Sequence, residues 1–348
     1  MLRNTVSISF VLFVASFAGC GGPAPSSPAT PGAGAQPAGG AAAGKPARKI
    51  TIGLVAKSNS NQVFQVAWTA AKQAAQEVGT SEKVEIVIDW RTPDQENSAE
   101  QARNIEQLAN SGVDGISVSC SDGQKLVGPI DAAVDKGIAV MTFDSDSPGS
   151  KRLCYFGTDD AMLGQQLAVE LTMVMGDAGV VGILAGNQNA PNLKKRVDAC
   201  REMLKNYPKI KLAGPTNGAF YHEETGQAAA AAWASAQNAN PEITGWILVG
   251  GWPLFTQGAT QSLGAPGKVK VVSCDALPEM LSYLRDGSVQ VLLAQDLYGW
   301  GAQSVRILAD KILHKKDPPP ANYGMLTRVT KDNVDAYAKN FEKWAQKK

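Results

Sequence analysis

The chain is short of the residues on which most hydrolytic and metal chemistry depends. Only two histidines, His222 and His314, occur in 348 residues. Neither has cysteines or carboxylates at metal-ligand spacing, so no histidine triad and no zinc centre is expected. His222 reads as a solvated residue at a helix start and His314 as one at a helix end. No Gly-x-Ser-x-Gly elbow and no Walker loop is present. Without a CxxC pair there is no redox motif either. Clustered charge of one sign is also missing: 33 Lys and Arg offset 32 Asp and Glu, leaving +1. Phosphate backbones need a basic stripe, so nucleic acid is not an expected partner. No catalytic residue, cofactor or metal is therefore assigned.

No apolar run is long enough to span a bilayer. The N-terminal one, residues 6–17, follows Arg3 and is too short for a membrane helix. It ends in Phe-Ala-Gly-Cys at 17–20. Small residues before a closing cysteine resemble the bacterial lipobox, which implies a signal peptide over 1–19 and lipidation of Cys20. A plain secretory signal cleaved near the same place is the alternative. Residues 21–47 are almost wholly Gly, Ala, Pro and Ser, so 20–48 is expected to be a flexible, lipid-anchored linker. Either route puts the mature chain in the periplasm or at the cell surface. There, Cys120, Cys154, Cys200 and Cys274 could pair in three ways or stay as buried thiols, and the sequence selects neither.

What is abundant is alternation. At 44% hydrophobic content the chain can bury one large core or two medium ones. Strand-like runs at 50–56, 84–89, 113–119 and 138–143 alternate with helical spacing at 63–78, 99–110 and 126–136. The rhythm resumes with strands at 153–156, 180–185, 210–213, 243–249, 268–273 and 289–294. Helices are expected at 160–175, 192–206, 223–237, 253–263, 278–285 and 297–315. After Asp317 and three prolines, a strand at 325–329 and a helix at 331–345 close the chain. Such alternation means parallel sheets with right-handed crossovers.

Within it, residues 138–143 are continuously apolar and stop at Asp144-Ser145-Asp146. That pattern fits a central parallel strand covered on both faces. Ligands in open α/β sheets sit beyond the carboxyl ends of such strands, so Asp144 is a charge delivered to a ligand rim. A second unit repeats the device: an apolar run ending in Cys274-Asp275.

From Ile52 on, several short motifs fall in a familiar order. They are IGLVA at 52–56 with NQVF at 61–64, GVDGI at 112–116, GIAVMTFD at 137–144 and GTDD at 157–160. NPEI at 240–243, VSCD at 272–275 and LAQ at 293–295 follow. In this the chain resembles the ribose/galactose type of bacterial periplasmic solute-binding protein, the lactose-repressor-like type I family. A signal segment and a polar tether stand where a repressor would carry its DNA-reading helices.

The resemblance implies two doubly wound Rossmann-like lobes joined by a three-segment hinge. The lobes would comprise 49–157 with 296–321, and 158–295 with 322–348; the crossings would fall near 156–159, 295–296 and 321–323. It also implies a monosaccharide held between the lobes and delivered by a monomer to the transmembrane permease subunits of an ABC transporter. Hydroxyls need carboxylates and amides, and a sugar ring needs aromatic plates. Asp144 and Asp275 are the expected carboxylates, Asn61 and Gln295 the amides. Phe64, Tyr221 and Trp252 are the plates, with either Phe220 or Tyr221 facing the cleft and Trp90 at a comparable rim. Asn192, Lys194 and Arg196 open the helix after 186–189, with Lys194 where the family has an arginine. Ser145 replaces a family arginine, Val63 an aromatic, and Gly251-Trp252 an Asn-Asp pair. These departures point to a pentose or hexose other than ribose. Two other roles are weighed: a receptor for a sugar or furanosyl signal docking on a membrane sensor, and an exported glycoside-processing enzyme.

Overall fold

A computed structural model describes residues 48–345. The expected signal peptide, Cys20 and all but the last residue of the linker lie outside them. In chain order come β1 (Lys49–Val55), α1 (Gln62–Glu82), β2 (Glu85–Trp90) and α2 (Ser98–Ser111), then β3 (Gly115–Val118), α3 (Val127–Asp135), β4 (Ala139–Phe143) and β5 (Tyr155–Gly157). There follow α4 (Asp160–Met175), β6 (Gly179–Gly186), α5 (Pro191–Leu204), β7 (Ile210–Leu212), α6 (Pro215–Gly218), β8 (Ala219–Tyr221) and α7 (Gly226–Ala239). The remainder is β9 (Gly245–Leu248), β10 (Lys270–Cys274), α8 (Leu281–Asp286), β11 (Val291–Ala294), α9 (Leu297–His314), β12 (Ala321–Tyr323), β13 (Thr327–Val329) and α10 (Val334–Ala345).

Two sheets result, in the orders β12-β5-β4-β3-β1-β2 and β13-β11-β10-β9-β6-β7, with β8 also paired to β6. All pairings are parallel except β11 with β13. In each sheet the direction of winding reverses once, between β1 and β3 and between β6 and β9. The central strands β3, β9 and β11 are buried along their whole length. Helices on both faces cover them, which is why they read as unbroken apolar runs.

Side chains fix the helix starts. Asn61, Asn97, Asp159, Thr225 and Asp296 cap α1, α2, α4, α7 and α9 by accepting from backbone N–H groups one turn in. The chain passes between the sheets three times: after β5 into α4, after β11 into α9, and between β12 and β13. The third passage lies beyond the expected 321–323, because those residues pair with Tyr155–Gly157 and extend the first sheet.

Two expectations fail locally. Residues 253–263 are not a helix but two 3-10 turns, Trp252–Phe255 and Gln261–Leu263. Gly258, at φ 77°, breaks the run between them. β8, unexpected from the sequence, forms just before the helix expected from residue 223, which begins at Gly226. All four described cysteines are free and buried. No helix of the described residues is long and apolar enough to cross a membrane.

Candidate functional site

The carboxyl ends of the two sheets face each other, and the loops leaving them enclose a cavity. Lys57, Asn61, Val63, Phe64, Asp144 and Trp300 line it from the elements around the first sheet. Asn192, Leu193, Arg196, Glu224, Gly250, Trp252, Asp275 and Gln295 line it from those around the second. Its free volume is about 20 Å³, room for the centre of one water-sized sphere. A larger cavity of about 590 Å³ lies at the cleft mouth, between Ser58, Gln95 and Glu96 on one side and residues 186–189 and 221–225 on the other. Glu224 lines both.

The two strand-end aspartates share a backbone device. Asp144 follows β4 at φ 56° and Asp275 follows β10 at φ 67°. Few residues other than glycine tolerate this left-handed region, and aspartate is among them. The turn ends the strand at once and leaves each buried carboxylate lining the cavity. Asp144 Oδ2 accepts from Ser119 Oγ at 2.6 Å, and Oδ1 accepts from Asn192 Nδ2 at 3.1 Å. Asn192 Oδ1 in turn accepts from Lys57 Nζ at 3.3 Å. Lys57 Nζ also stands 3.8 Å from Glu224 Oε2. Burial works against the Lys57 charge, yet Glu224, Asp144 and Glu96 together hold its pKa above the ordinary value. Burial pushes Glu224 up to about 8, although Lys57 opposes the shift.

Asp275 is fastened differently. Gln295 Nε2 donates to its Oδ1 at 2.7 Å and the Gly251 N–H to its Oδ2 at 3.1 Å. Burial still raises its pKa, against the pull of Gln295 and Arg196. Gln295 Oε1 accepts from Thr158 Oγ1 and from Arg196 Nη2, both at 2.8 Å. Arg196 Nε donates to Asp160 Oδ1 at 2.8 Å, and Nη1 to the Val249 carbonyl at 2.9 Å. Burial raises Asp160 to about 6 even beside this guanidinium. Arg196 thus joins α4, α5 and the ends of β9 and β11.

Seven of the residues expected from the sequence line the inner cavity: Asn61, Phe64, Asp144, Asn192, Trp252, Asp275 and Gln295. Phe64 also belongs to the core, 6.3 Å from Phe143 and 6.1 Å from Trp300 between ring centroids. Three residues stand elsewhere. Lys194 is on the outer side of α5, paired with Asp198 and with its side chain 68% exposed. The cavity arginine is Arg196, because Asn192 and Arg196 are four apart and share a helix face that Lys194 does not. Ser145 is fully buried behind the rim, its hydroxyl without a partner. Tyr221 lines the mouth, whereas Phe220 turns inward against Trp246 at 5.1 Å.

Trp90 stacks on Trp68 at 5.3 Å, outside both cavities. His222 is half-buried rather than solvated: its Nε2 accepts from the Gly186 N–H and its Nδ1 faces the Glu223 carbonyl. Burial lowers its pKa. Lys57, Glu224 and Trp300 were missed. Lys57 directly follows the first apolar strand, a signal as plain as that of Asp144; Glu224 and Trp300 carry none.

A family model described as a periplasmic binding protein domain matches residues 52–316. The D-ribose/D-allose-binding protein of Pseudomonas aeruginosa is 28% identical over 253 residues, 69% of this chain and 75% of the relative. The xylitol-binding protein of Mycolicibacterium smegmatis is 23% identical over 276 residues, covering 77% and 74%. Among solved structures, an ABC transporter solute-binding protein from Burkholderia graminis, in complex with D-arabinose, superposes with a TM-score of 0.75. It is 25% identical and covers 84% of this chain and 99% of its own.

Proposed function

This chain belongs to the periplasmic binding protein domain family, and from that membership we propose that it captures a monosaccharide, a pentose or hexose, in the cleft between its two sheets. The observation that carries the reading is the pair Asp144 and Asp275, each set by a left-handed turn at a strand end and both lining one cavity. Hydrogen bonds to a charged partner are worth about 1.5–3 kcal/mol, against roughly 0.5–1.5 for neutral ones. The two carboxylates therefore select the hydroxyl pattern. Asn61, Asn192 and Gln295 add amides, Arg196 a fixed donor, and Phe64 and Trp252 apolar plates for the ring. The names of the relatives, which specify ribose, allose and xylitol, support a polyhydroxy ligand.

A sugar ring needs several times the room of one water. The lobes, taken as 49–157 with 296–323 and 158–295 with 324–348 since β12 joins the first sheet, would part to admit it and close over it. The closed form, held outside the cytoplasm by a lipid on Cys20, would then offer both lobe surfaces to a permease. Isothermal titration calorimetry against a panel of pentoses and hexoses tests the sugar claim. At least one is expected to bind, with Asp144→Asn and Asp275→Asn each weakening it by about tenfold to a hundredfold, the equivalent of about 1.5–3 kcal/mol. Heat from no member of the panel would remove the claim.

A further inference from the structure

Among the acids of the cleft, Glu224 uses its oxygens unlike the rest. Asp144 is met by Ser119 and Asn192, Asp275 by Gln295 and the Gly251 N–H, and Asp160 by Arg196. Glu224 Oε2 has Lys57 Nζ at 3.8 Å, an ammonium that lies closer to Asn192 Oδ1 at 3.3 Å, and the Asn187 N–H faces the carboxyl group without reaching hydrogen-bonding geometry. Glu224 Oε1 is buried and has no partner in hydrogen-bonding geometry. The side chain is 6% exposed. A buried acceptor left without a donor is costly, and native structures keep few of them. This one stands in the wall between the inner cavity and the mouth. A ligand reaching from the strand-end aspartates toward the mouth would meet it.

We propose that Glu224 is a specificity-determining ligand contact, its Oε1 accepting a hydrogen bond from a hydroxyl or an ammonium on the edge of the sugar that faces the cleft mouth. Lys57, from the opposite lobe, stands 3.8 Å from the other oxygen. The proposal rests on the sugar-binding reading and adds a third carboxylate to the recognition code. Because the residue sits at the mouth, it reads the ring position farthest from the strand ends, which Asp144 and Asp275 do not reach.

The test takes the best-binding sugar of the panel, its monodeoxy derivatives and its amino-deoxy derivatives, titrated into the wild-type chain, Glu224→Gln and Glu224→Ala. At one ring position, loss of the hydroxyl is expected to weaken the wild type at least tenfold and Glu224→Ala less than threefold. If the group is an ammonium, the amino derivative at that position binds the wild type more tightly than the parent, and Glu224→Gln abolishes the gain. Thermal unfolding of the near-isosteric Glu224→Gln checks that the fold persists. Equal weakening of the parent and every derivative would assign Glu224 to lobe closure and overturn the proposal, as would unchanged affinities throughout. A wild type that binds no sugar withdraws the functional reading itself, a result distinct from either.

Discussion

Arg196 is the most connected side chain of the cleft, and its worth lies in what its removal would strand. Asp160 is buried and has this guanidinium as its ion-pair partner. Replacing Arg196 with Met keeps the apolar stem and leaves an unpaired carboxylate inside, a loss of about 3–5 kcal/mol. A urea titration should show the midpoint fall, and Arg196→Met/Asp160→Asn should recover part of it. The cysteines invite a second measurement. Burial pushes Cys154 up to about 11 and Cys200 up to about 12, and raises Cys120 and Cys274 as well. Alkylation with iodoacetamide followed by peptide mapping should find positions 120, 154, 200 and 274 unmodified in the native protein and all four modified in urea. Much of this site could be read from the residues alone. Asp144, Asp275 and Gln295 each end an apolar strand, and position on the sheet then dictates exposure to the cleft. Lys194 stands where the family has an arginine, but helix phase puts Arg196, four residues after Asn192, on the cleft face instead. Glu224 was beyond reach, since it sits on a loop where no period constrains direction.

Strands and helices were readable wherever the apolar period was long. The α4 expected at residues 160–175 is the one found. The failures came where glycine interrupts the pattern, at Gly258, and where strands are only three residues long, as in β8 and β12. Glycine also governs how two of the helices meet. α9 packs along α1, and a Cβ built on Gly301 would lie 1.7 Å from the Ala67 carbonyl oxygen. Backbone cannot step aside as a side-chain end can, so Gly301→Ala should destabilise by at least the roughly 1–3 kcal/mol typical of overpacking. Gly128, in the first turn of α3 with nothing within 4 Å of its Cβ position, is the control. Gly128→Ala should be neutral or stabilising by up to about 1 kcal/mol. Denaturant midpoints at constant slope compare the pair directly.

For the molecule as a whole, the proposed closure should be linked to protons. The Lys57–Asn192–Asp144 chain and the Asn187–Glu96 bond, at 3.0 Å, join one half to the other. Glu224 is shut in with them. An open cleft would hydrate it and return its pKa toward the ordinary 4.5, whereas the closed one raises it to about 8. The closed form therefore holds the proton more tightly, and closure gains stability that is full below about 4.5 and is lost as pH rises through about 8. The groups facing Glu224 are Lys57, Glu96, Asp144 and the Asn187 N–H, with His222 and Glu223 beside it in the chain. Small-angle scattering of the sugar-free protein should give a smaller radius of gyration at pH 6 than at pH 9, and Glu224→Gln should flatten the difference.

Thr158 and Gln295 stand on two different connecting strands, yet their side chains are bonded to each other at 2.8 Å. Two struts bolted together at one point can swivel but cannot slide past one another. The opening stroke should therefore be a rotation about that bolt. Because Gln295 also grips Asp275, the pivot and the sugar's anchor would turn as one piece.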